Sequence, residues 1–253
     1  MMHDISQGAA EQAFLFWKEH YNIISFNDYL NARAGKKKLP PKSLILTFDD
    51  GHKGNFRLLP LINKLQISVT IFLCSGIAGT NRHFWFLEKS IDADKLKTIS
   101  DEDRIKALKK TGFEHDKEYS ERQALSLKEL EELKNSPFID LQSHTRTHPV
   151  LTQCSAEKAF DEISGAKKEL EDKLKSEITG FAYPNGDHND KVVQMVKDAG
   201  YKYAITTRPG YNSLISDIFR LKRLSVNDSG NIDEIVVKSS GVWGIFKKLS
   251  GQG

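Results

Sequence analysis

The sequence predicts an α/β fold in which parallel strands close into a barrel. Short apolar segments, typical of buried strands, alternate with segments of helical periodicity along most of the 253 residues. A repeated strand, helix, strand order predicts parallel strands joined by right-handed crossovers. Polar residues directly follow several of these strands, and chemistry at the carboxyl ends of parallel strands is typical of (β/α) barrels.

An open, doubly wound sheet is the alternative arrangement of the same elements. Its nucleotide-binding versions carry a glycine-rich loop after the first strand. Neither a G-x-G-x-x-G sequence nor a P-loop follows the first predicted strand of this chain. The barrel is therefore the favoured interpretation.

The individual elements follow from the spacing of apolar residues. In the first predicted helix after the first strand, Leu58, Ile62 and Leu65 form one apolar stripe. Gly200 ends the last of these helices, as glycine commonly does at a helix C-terminus. The predicted strands are 43–48, 67–73, 138–142, 178–182, 202–207 and 221–226. The predicted helices lie near 54–65, 126–135, 155–175 and 189–199.

A chain of this length predicts a single domain. We expect a helical segment and lead-in over residues 1–42, the barrel over 43–240 and a tail over 241–253. A charged, helix-like stretch at about 80–125 interrupts the alternation and is interpreted as an insertion. Its aromatic run, 84–86, fits either the core of a helical cap or one wall of a sugar-binding cleft. The tail is predicted to dock on the body of the protein or on a partner.

Composition argues against several classes of protein. With 37 basic and 34 acidic residues and a net charge of +3, nucleic acid is not an expected partner. No apolar stretch is long enough to predict a transmembrane helix. Cys74 and Cys154 are too few and too far apart for a disulfide framework, and the first residues lack a signal-peptide pattern, so a reducing, cytoplasmic location is predicted. Composition predicts no particular oligomeric state.

Two polar motifs at predicted strand ends indicate a metal site. One apolar strand ends at Asp49, Asp50 and Gly51, and a later one is followed by His144 and His148. Histidines four residues apart lie on one face of a helical turn, where both can bind one ion. Because side chains alternate along a strand, the two carboxylates point in different directions. One can bind the cation while the other transfers protons.

Two histidines and one carboxylate occur both in zinc hydrolases and in non-haem iron oxygenases. The short His-x-Asp spacing of the oxygenases is absent, and an oxygenase would leave the second carboxylate without a role. A hydrolase needs that carboxylate as the base that takes a proton from metal-bound water. Metal-assisted hydrolysis is therefore favoured.

These motifs resemble those of the NodB-type polysaccharide deacetylases, a family of metal-dependent carbohydrate esterases. Thr47–Gly51 is similar to the first motif of that family, Ser143–Pro149 to the second and Phe181–Gly186 to the third. The resemblance covers roughly residues 20–226. It implies a distorted (β/α) barrel of seven strands that removes N- or O-acetyl groups from sugars. It also implies that Asp50, His144 and His148 hold a divalent metal, usually zinc, while Asp49 is the base.

The third motif departs from the Arg-x-Pro-Tyr pattern of the family, because this chain has Ala182, Tyr183, Pro184 and Asn185 in those places. We expect Tyr183, Pro184 and Asn185 to contact the substrate, with the backbone N–H of Asn185 stabilising the oxyanion. The Tyr-Pro-Asn-Gly form is similar to that of deacetylase-like proteins of surface-polysaccharide assembly.

The arginine that orients the base in the family is absent, and Arg223 is predicted to replace it. A charged residue in the middle of an apolar strand is costly unless it is paired. Arg220 would face the other side of that strand, since an odd offset reverses the face. The late Leu-x-His motif of the family is also missing. His188, beside the third motif, and His52, beside the first, are therefore the candidates for the general acid.

Together these observations predict a metal-dependent deacetylase acting on an acetylated sugar of a polysaccharide or a lipid-linked glycan precursor. The alternative is a glycan-binding barrel that keeps the metal without hydrolysing its ligand. The presence of Asp49 favours the enzyme, because a binding protein has no need of the base.

Overall fold

The computed structural model describes residues 1–226, 228 and 231–240. Its centre is a parallel sheet of five strands in the order β3-β4-β5-β6-β7. These strands are β3 (Leu46–Phe48), β4 (Val69–Leu73), β5 (Ile139–Ser143), β6 (Gly180–Ala182) and β7 (Tyr203–Ile205). A separate parallel pair is formed by β1 (Asn22–Ile23) and β2 (Ser43–Leu44).

Helices connect the strands and cover the outer face of the sheet. They are α1 (Gln7–His20), α2 (Phe26–Arg33), α3 (Leu59–Leu65), α4 (Ala93–Leu96), α5 (Asp101–Lys109), α6 (Leu127–Lys134), α7 (Ala156–Phe160), α8 (Ala166–Leu174), α9 (Asp190–Asp198) and α10 (Ile232–Ser239). Local sequence fixes their starts. Ser126 and Glu129 form a capping box at α6, and the Asn189 side chain accepts the Val192 N–H at the start of α9.

The sheet curls into a distorted barrel, which confirms the predicted fold class. Within the described part of the chain this sheet has five strands, where seven were expected. The rest of the wall is formed by residues joined through isolated parallel bridges, Met2 to Phe48 on one edge and Leu221 to Ile205 on the other. The Val226 N–H donates to the Met1 carbonyl at 3.0 Å and so links the two edges.

The prediction of a regular strand over 221–226 is wrong. Leu221 pairs with β7. If the parallel ladder continued, the backbone N–H of Arg223 would donate to the carbonyl of Thr206. That carbonyl instead accepts a hydrogen bond from Nε of the Arg223 side chain. The Arg223 backbone N–H donates to Arg208 O at 3.0 Å. The side chain of Arg223 therefore interrupts the ladder at the position where it enters the barrel.

The segment predicted as a helical lead-in, residues 1–42, packs into two apolar clusters, α1 into the main core and α2 into a second, smaller one. Phe14 of α1 contacts Phe48 of β3 edge to face, and Phe26 of α2 stacks on Tyr203 of β7 with ring centroids 4.3 Å apart. The insertion at 80–125 contains α4 and α5, as its helical periodicity predicted.

The tail predicted to dock, residues 241–253, lies outside the described residues. Cys74 and Cys154 are both free thiols, in agreement with the absence of a predicted disulfide framework. Among the described helices, none has the length and apolarity needed to cross a bilayer.

Candidate active site

A cleft of about 480 Å³ opens at the carboxyl ends of the central strands. Residues that follow β3 and β5 form its floor, and the insertion supplies one wall. Near the metal motifs it is lined by Asp49, Asp50, His52, His144, His148 and Asn185. The insertion contributes Phe86, Leu87, Ala93 and Lys97, and the opposite rim carries His3, Asp4 and Asp228.

The turn after β3 separates the two adjacent carboxylates. Asp50 and Gly51 both have left-handed backbones, with φ of 73° and 76°. Glycine is required at the second position, since a Cβ there would lie 2.6 Å from Cδ2 of Leu73. The sharp turn directs Asp50 towards the histidines, while Asp49 keeps the strand direction and faces Arg223.

Asp50, His144 and His148 converge on one point, as the motifs predicted. Oδ1 of Asp50 lies 3.4 Å from Nε2 of His144 and 3.5 Å from Nε2 of His148. Ligands bound to zinc at about 2.0–2.1 Å in a tetrahedron are separated by about 3.3 Å. This buried Oδ1 has no hydrogen-bond partner, although buried carboxylate oxygens are ordinarily paired. The three side chains therefore have the geometry and the free acceptor that a divalent metal requires.

Hydrogen bonding and burial put the two histidines in the form that binds metals. Nδ1 of His144 lies 2.8 Å from the Ala182 carbonyl and must donate to it, which leaves Nε2 as a ligand. Burial lowers the pKa of His148 to about 3, so its imidazole is neutral. Burial raises the pKa of Asp50, but its hydrogen bond with His52 outweighs burial and holds that pKa well below its usual range.

The expected helical turn between the histidines is wrong. Thr145 and His148 have left-handed backbones, with φ of 68° and 59°, which an α-helix does not allow. The segment is instead a loop held by hydrogen bonds. The His148 N–H donates to Oγ1 of Thr145 at 3.1 Å, and the N–H groups of Ser75 and Gly76 donate to the carbonyls of Thr145 and Arg146.

Arg223 contacts Asp49. This contact was predicted because the third motif lacks the arginine that orients the base in the family. Two guanidinium nitrogens donate to the two carboxylate oxygens, both at 2.7 Å, and Nε donates to Thr206 O at 2.8 Å. Burial alone would raise the pKa of Asp49, but Arg223 and His144 lower it to about 2. Asp49 is therefore ionised across the ordinary pH range. Arg220 points away and pairs with Asp217 and Asp190.

Of the three residues predicted to contact substrate, the structure brings one into the cleft. Asn185 lines it, with a backbone φ of 55°, and its Nδ2 is buried without a partner. Tyr183 is fully buried and donates to Phe219 O at 3.0 Å, and Pro184 is buried beside it. The left-handed residue at 185 turns the chain so that the third motif exposes only its tip.

The two histidines proposed as general acid occupy different surroundings. His188 stacks on the Tyr183 ring and does not line the cleft. His52 does line it, but its Nε2 lies 3.1 Å from Oδ2 of Asp50. Burial lowers the pKa of His52, but the Asp50 hydrogen bond more than offsets this, and the pKa is raised. His52 thus holds the candidate metal ligand Asp50 in place through a hydrogen bond.

His3 is a cleft residue that the sequence analysis did not select. It lies on the cleft rim, with Nδ1 3.8 Å from Oδ2 of Asp228, and its backbone N–H donates to the same carboxylate. The signal was an apolar pair followed by a polar residue, the strand-end pattern of the first motif. Met2 pairs with Phe48 much as a neighbouring strand would. His3 therefore emerges at the same end of the barrel as Asp49.

The aromatic run 84–86 contributes both to the core of the insertion and to a wall of the cleft. Trp85 is fully buried in a small core of the insertion with Leu96 and Leu108, and its Nε1 donates to the His148 carbonyl at 2.8 Å. Phe86 lines the cleft, with its ring centroid 4.6 Å from that of His148. The insertion thus supports a candidate ligand and forms a wall of the cleft.

A family model described as polysaccharide deacetylase matches residues 36–204 of this sequence. The chain belongs to the polysaccharide deacetylase family. This result confirms the resemblance that the three motifs indicated, and the matched region contains the three candidate metal ligands and Asp49.

Relatives of this deacetylase-family chain are distant in sequence. It is 22% identical over 192 residues to YxkH of Bacillus subtilis (strain 168), which is named as a polysaccharide deacetylase. The aligned region covers 76% of this chain and 54% of that protein. The chain thus spans about half the length of that curated relative. It is 20% identical over 236 residues to the poly-beta-1,6-N-acetyl-D-glucosamine N-deacetylase of Staphylococcus aureus (strain MSSA476), covering 89% of this chain and 69% of that one.

A solved structure supports the fold. IcaB from Ammonifex degensii superposes with a TM-score of 0.68 at 15% identity, covering 96% of this chain and 93% of that chain. The likeness shows that the two proteins share the curled parallel sheet and its surrounding helices.

Proposed function

We propose that this protein is a metal-dependent deacetylase that hydrolyses acetyl groups on the sugars of a glycan. The observation that carries the proposal is the buried Asp50, His144 and His148 cluster beside a second carboxylate, Asp49, that Arg223 keeps ionised. A divalent ion in the cluster, of which zinc fits the ligand set best, would act as a Lewis acid towards the acetyl carbonyl and water.

Asp49 is the proposed base. It lines the cleft, and one of its oxygens lies 4.0 Å from Nε2 of His144, beside the candidate metal position. A carboxylate that remains ionised can accept a proton from the attacking water. Its two hydrogen bonds from Arg223 fix its orientation, which a base adjacent to the reacting atoms requires.

Asn185 is proposed to bind the acetyl oxygen as negative charge develops on it. The residue lies at the tip of the third motif and lines the cleft, so its backbone N–H is the proposed donor. A backbone donor needs no particular side chain, which accounts for asparagine in the place of the tyrosine of the family.

His3 is proposed as the acid that protonates the leaving group, in place of His188. Its side chain is solvent-accessible on the rim of the cleft and is not part of the candidate metal cluster. Asp228 lies beside Nδ1, so Nε2 is free to face the substrate. A carboxylate beside one imidazole nitrogen can orient the ring.

The proposed substrate is an N-acetylated hexosamine within a polysaccharide or a lipid-linked precursor. Support comes from the Staphylococcus aureus relative, whose name specifies N-deacetylation of a glucosamine polymer. Hydrolysis would release acetate and leave a free amine on the sugar.

Acetate release is the measurement that tests this proposal. The protein is freed of metal with a chelator, reloaded with zinc, and assayed on β-1,6- and β-1,4-linked N-acetylglucosamine oligomers. Wild type should release acetate, and Asp49→Asn should lose most of this activity while still binding zinc. Asp190→Asn, which changes an exposed carboxylate outside the cleft, is the control. Zinc binding without acetate release from either oligomer, or from an O-acetylated sugar, would favour the glycan-binding alternative.

A further inference from the structure

A carboxylate buried behind the second motif has no part in the proposed chemistry. Glu162 is completely buried, and buried carboxylates are rare unless they are paired. Its Oε2 accepts the backbone N–H groups of Arg146 and Thr147, both at 2.9 Å. Its Oε1 accepts the Thr147 hydroxyl at 2.7 Å and lies 3.0 Å from Nζ of Lys158.

These bonds fall on the two residues at the centre of the loop between the candidate ligands. Arg146 and Thr147 are flanked by Thr145 and His148, both left-handed without being glycine. Such backbones persist only where the surroundings impose them. On the opposite side, Ser75 and Gly76 hold the carbonyls of Thr145 and Arg146. The loop backbone is therefore held by two sets of hydrogen bonds: Ser75 and Gly76 bind its carbonyls, and Glu162 binds its N–H groups.

An irregular helix brings Glu162 to the loop. Residues 161–165, between α7 and α8, form one π-helical turn, which shifts the side chains that follow relative to an α-helix. The turn packs closely on the loop, since a Cβ at Gly165 would lie 3.0 Å from Cδ of Arg146. Single π turns are frequent at functional sites.

We infer that Glu162 is a positioning residue that sets the affinity of the site for its metal. By fixing the Arg146 and Thr147 peptides it holds Nε2 of His148 at 3.5 Å from Oδ1 of Asp50. The inference rests on the proposed metal site, and it adds a residue outside the three motifs to the structures that build that site.

Metal affinity is the measurement that separates this role from a general structural one. Zinc affinity of the chelated protein is obtained by competition with a chromophoric chelator, and the visible spectrum of the cobalt form reports the ligand geometry. Glu162→Ala should weaken zinc binding by about 10- to 100-fold, as expected for a group that orients a ligand. Glu162→Gln, whose amide oxygen can still accept both N–H groups, should fall between Ala and wild type and restore the cobalt spectrum.

Asp161→Asn is the matched control. Asp161 precedes Glu162 on the same turn, but its carboxylate bonds the side chain of Arg146 rather than the loop backbone. This variant should bind zinc like wild type. Folded Glu162 variants with wild-type zinc affinity and cobalt spectrum would overturn the inference. If Glu162→Ala does not fold, Glu162→Gln and Thr147→Val decide, since each removes part of the same contact. Failure of wild type to bind zinc would instead refute the metal site itself, and the inference with it.

Discussion

The guanidinium of Arg223 meets the carboxylate of Asp49 through two parallel hydrogen bonds of 2.7 Å, although 174 residues separate them in sequence. Both side chains are buried, and bidentate pairs of this kind are among the strongest hydrogen-bonded contacts in proteins. Arg223 also donates to Thr206 O, so it is itself fixed. The orientation of the proposed base, and the largest part of what keeps it ionised, therefore come from one residue outside the three motifs.

Replacing Arg223 should impair turnover more than metal binding. In Arg223→Met, burial is no longer opposed by the guanidinium, so the pKa of Asp49 should rise from about 2. The acidic limb of kcat/KM should move to higher pH, and kcat at neutral pH should fall by at least about tenfold, because a misoriented base transfers protons poorly. Zinc affinity should change little, since Arg223 does not contact the three ligands.

Arg220→Met is the control for this substitution. Arg220 is three residues away, lies at the surface and pairs with Asp217 and Asp190, so its loss should leave the pH profile unchanged. A wild-type acidic limb in Arg223→Met would refute the role assigned to the pair. Arg223→Lys should recover part of the activity, because it keeps the charge without the bidentate geometry.

His3 should be required for protonation of the leaving amine, whereas His188 should not. His3→Gln is expected to lower kcat by about 10²–10⁴-fold, the usual contribution of a general acid, with zinc affinity retained. His188→Gln, which alters a histidine stacked on Tyr183 outside the cleft, should keep wild-type kcat. The opposite ranking of the two variants would return the role to His188.

The sequence located most of the residues of this site, but it did not locate His3. Asp49, Asp50, His144 and His148 could be located because each follows an apolar strand, and parallel strands bring their carboxyl ends together. Arg223 could be located because a buried charge needs a partner. His3 was missed because the apolar pair before it is too short to predict a strand, and its position depends on a single bridge between Met2 and Phe48.

Backbone conformation accounts for the remaining errors. The helical turn expected at the second motif fails because Thr145 and His148 adopt left-handed backbones, imposed by contacts with distant residues such as Glu162. Tyr183 was expected in the cleft, but a left-handed Asn185 leaves it buried, with its hydroxyl on Phe219 O. Positive φ at residues other than glycine is set by tertiary contacts, so the local sequence gave no sign of it.

Zinc should stabilise the protein through the three candidate ligands. A ligand that binds only the folded state adds about 2.7 kcal/mol when its free concentration is 100 times Kd, so Tm measured in zinc should exceed Tm in chelator. His148→Ala should abolish most of this difference. His83→Ala, which removes a histidine stacked on Tyr119 away from the cleft, should retain it. An equal zinc response in both variants would place the bound ion elsewhere.

The stability of the metal-free protein should depend on pH in opposite senses with and without Arg223. In wild type the pKa of Asp49 is about 2, below the unfolded value of about 3.9, so its contribution to stability is present above pH 4 and is lost as the pH falls towards 2. In Arg223→Met the guanidinium no longer opposes burial, and burial outweighs the attraction of His144 that remains, so the pKa of Asp49 should exceed the unfolded value. The contribution is then largest below that value and is lost as the pH rises.

The Tm difference between wild type and Arg223→Met should therefore be smaller at pH 4 than at pH 7. Other groups that titrate in this range are common to both proteins and largely cancel in the comparison. A difference that is constant across this range would show that Arg223 does not control the ionisation of Asp49.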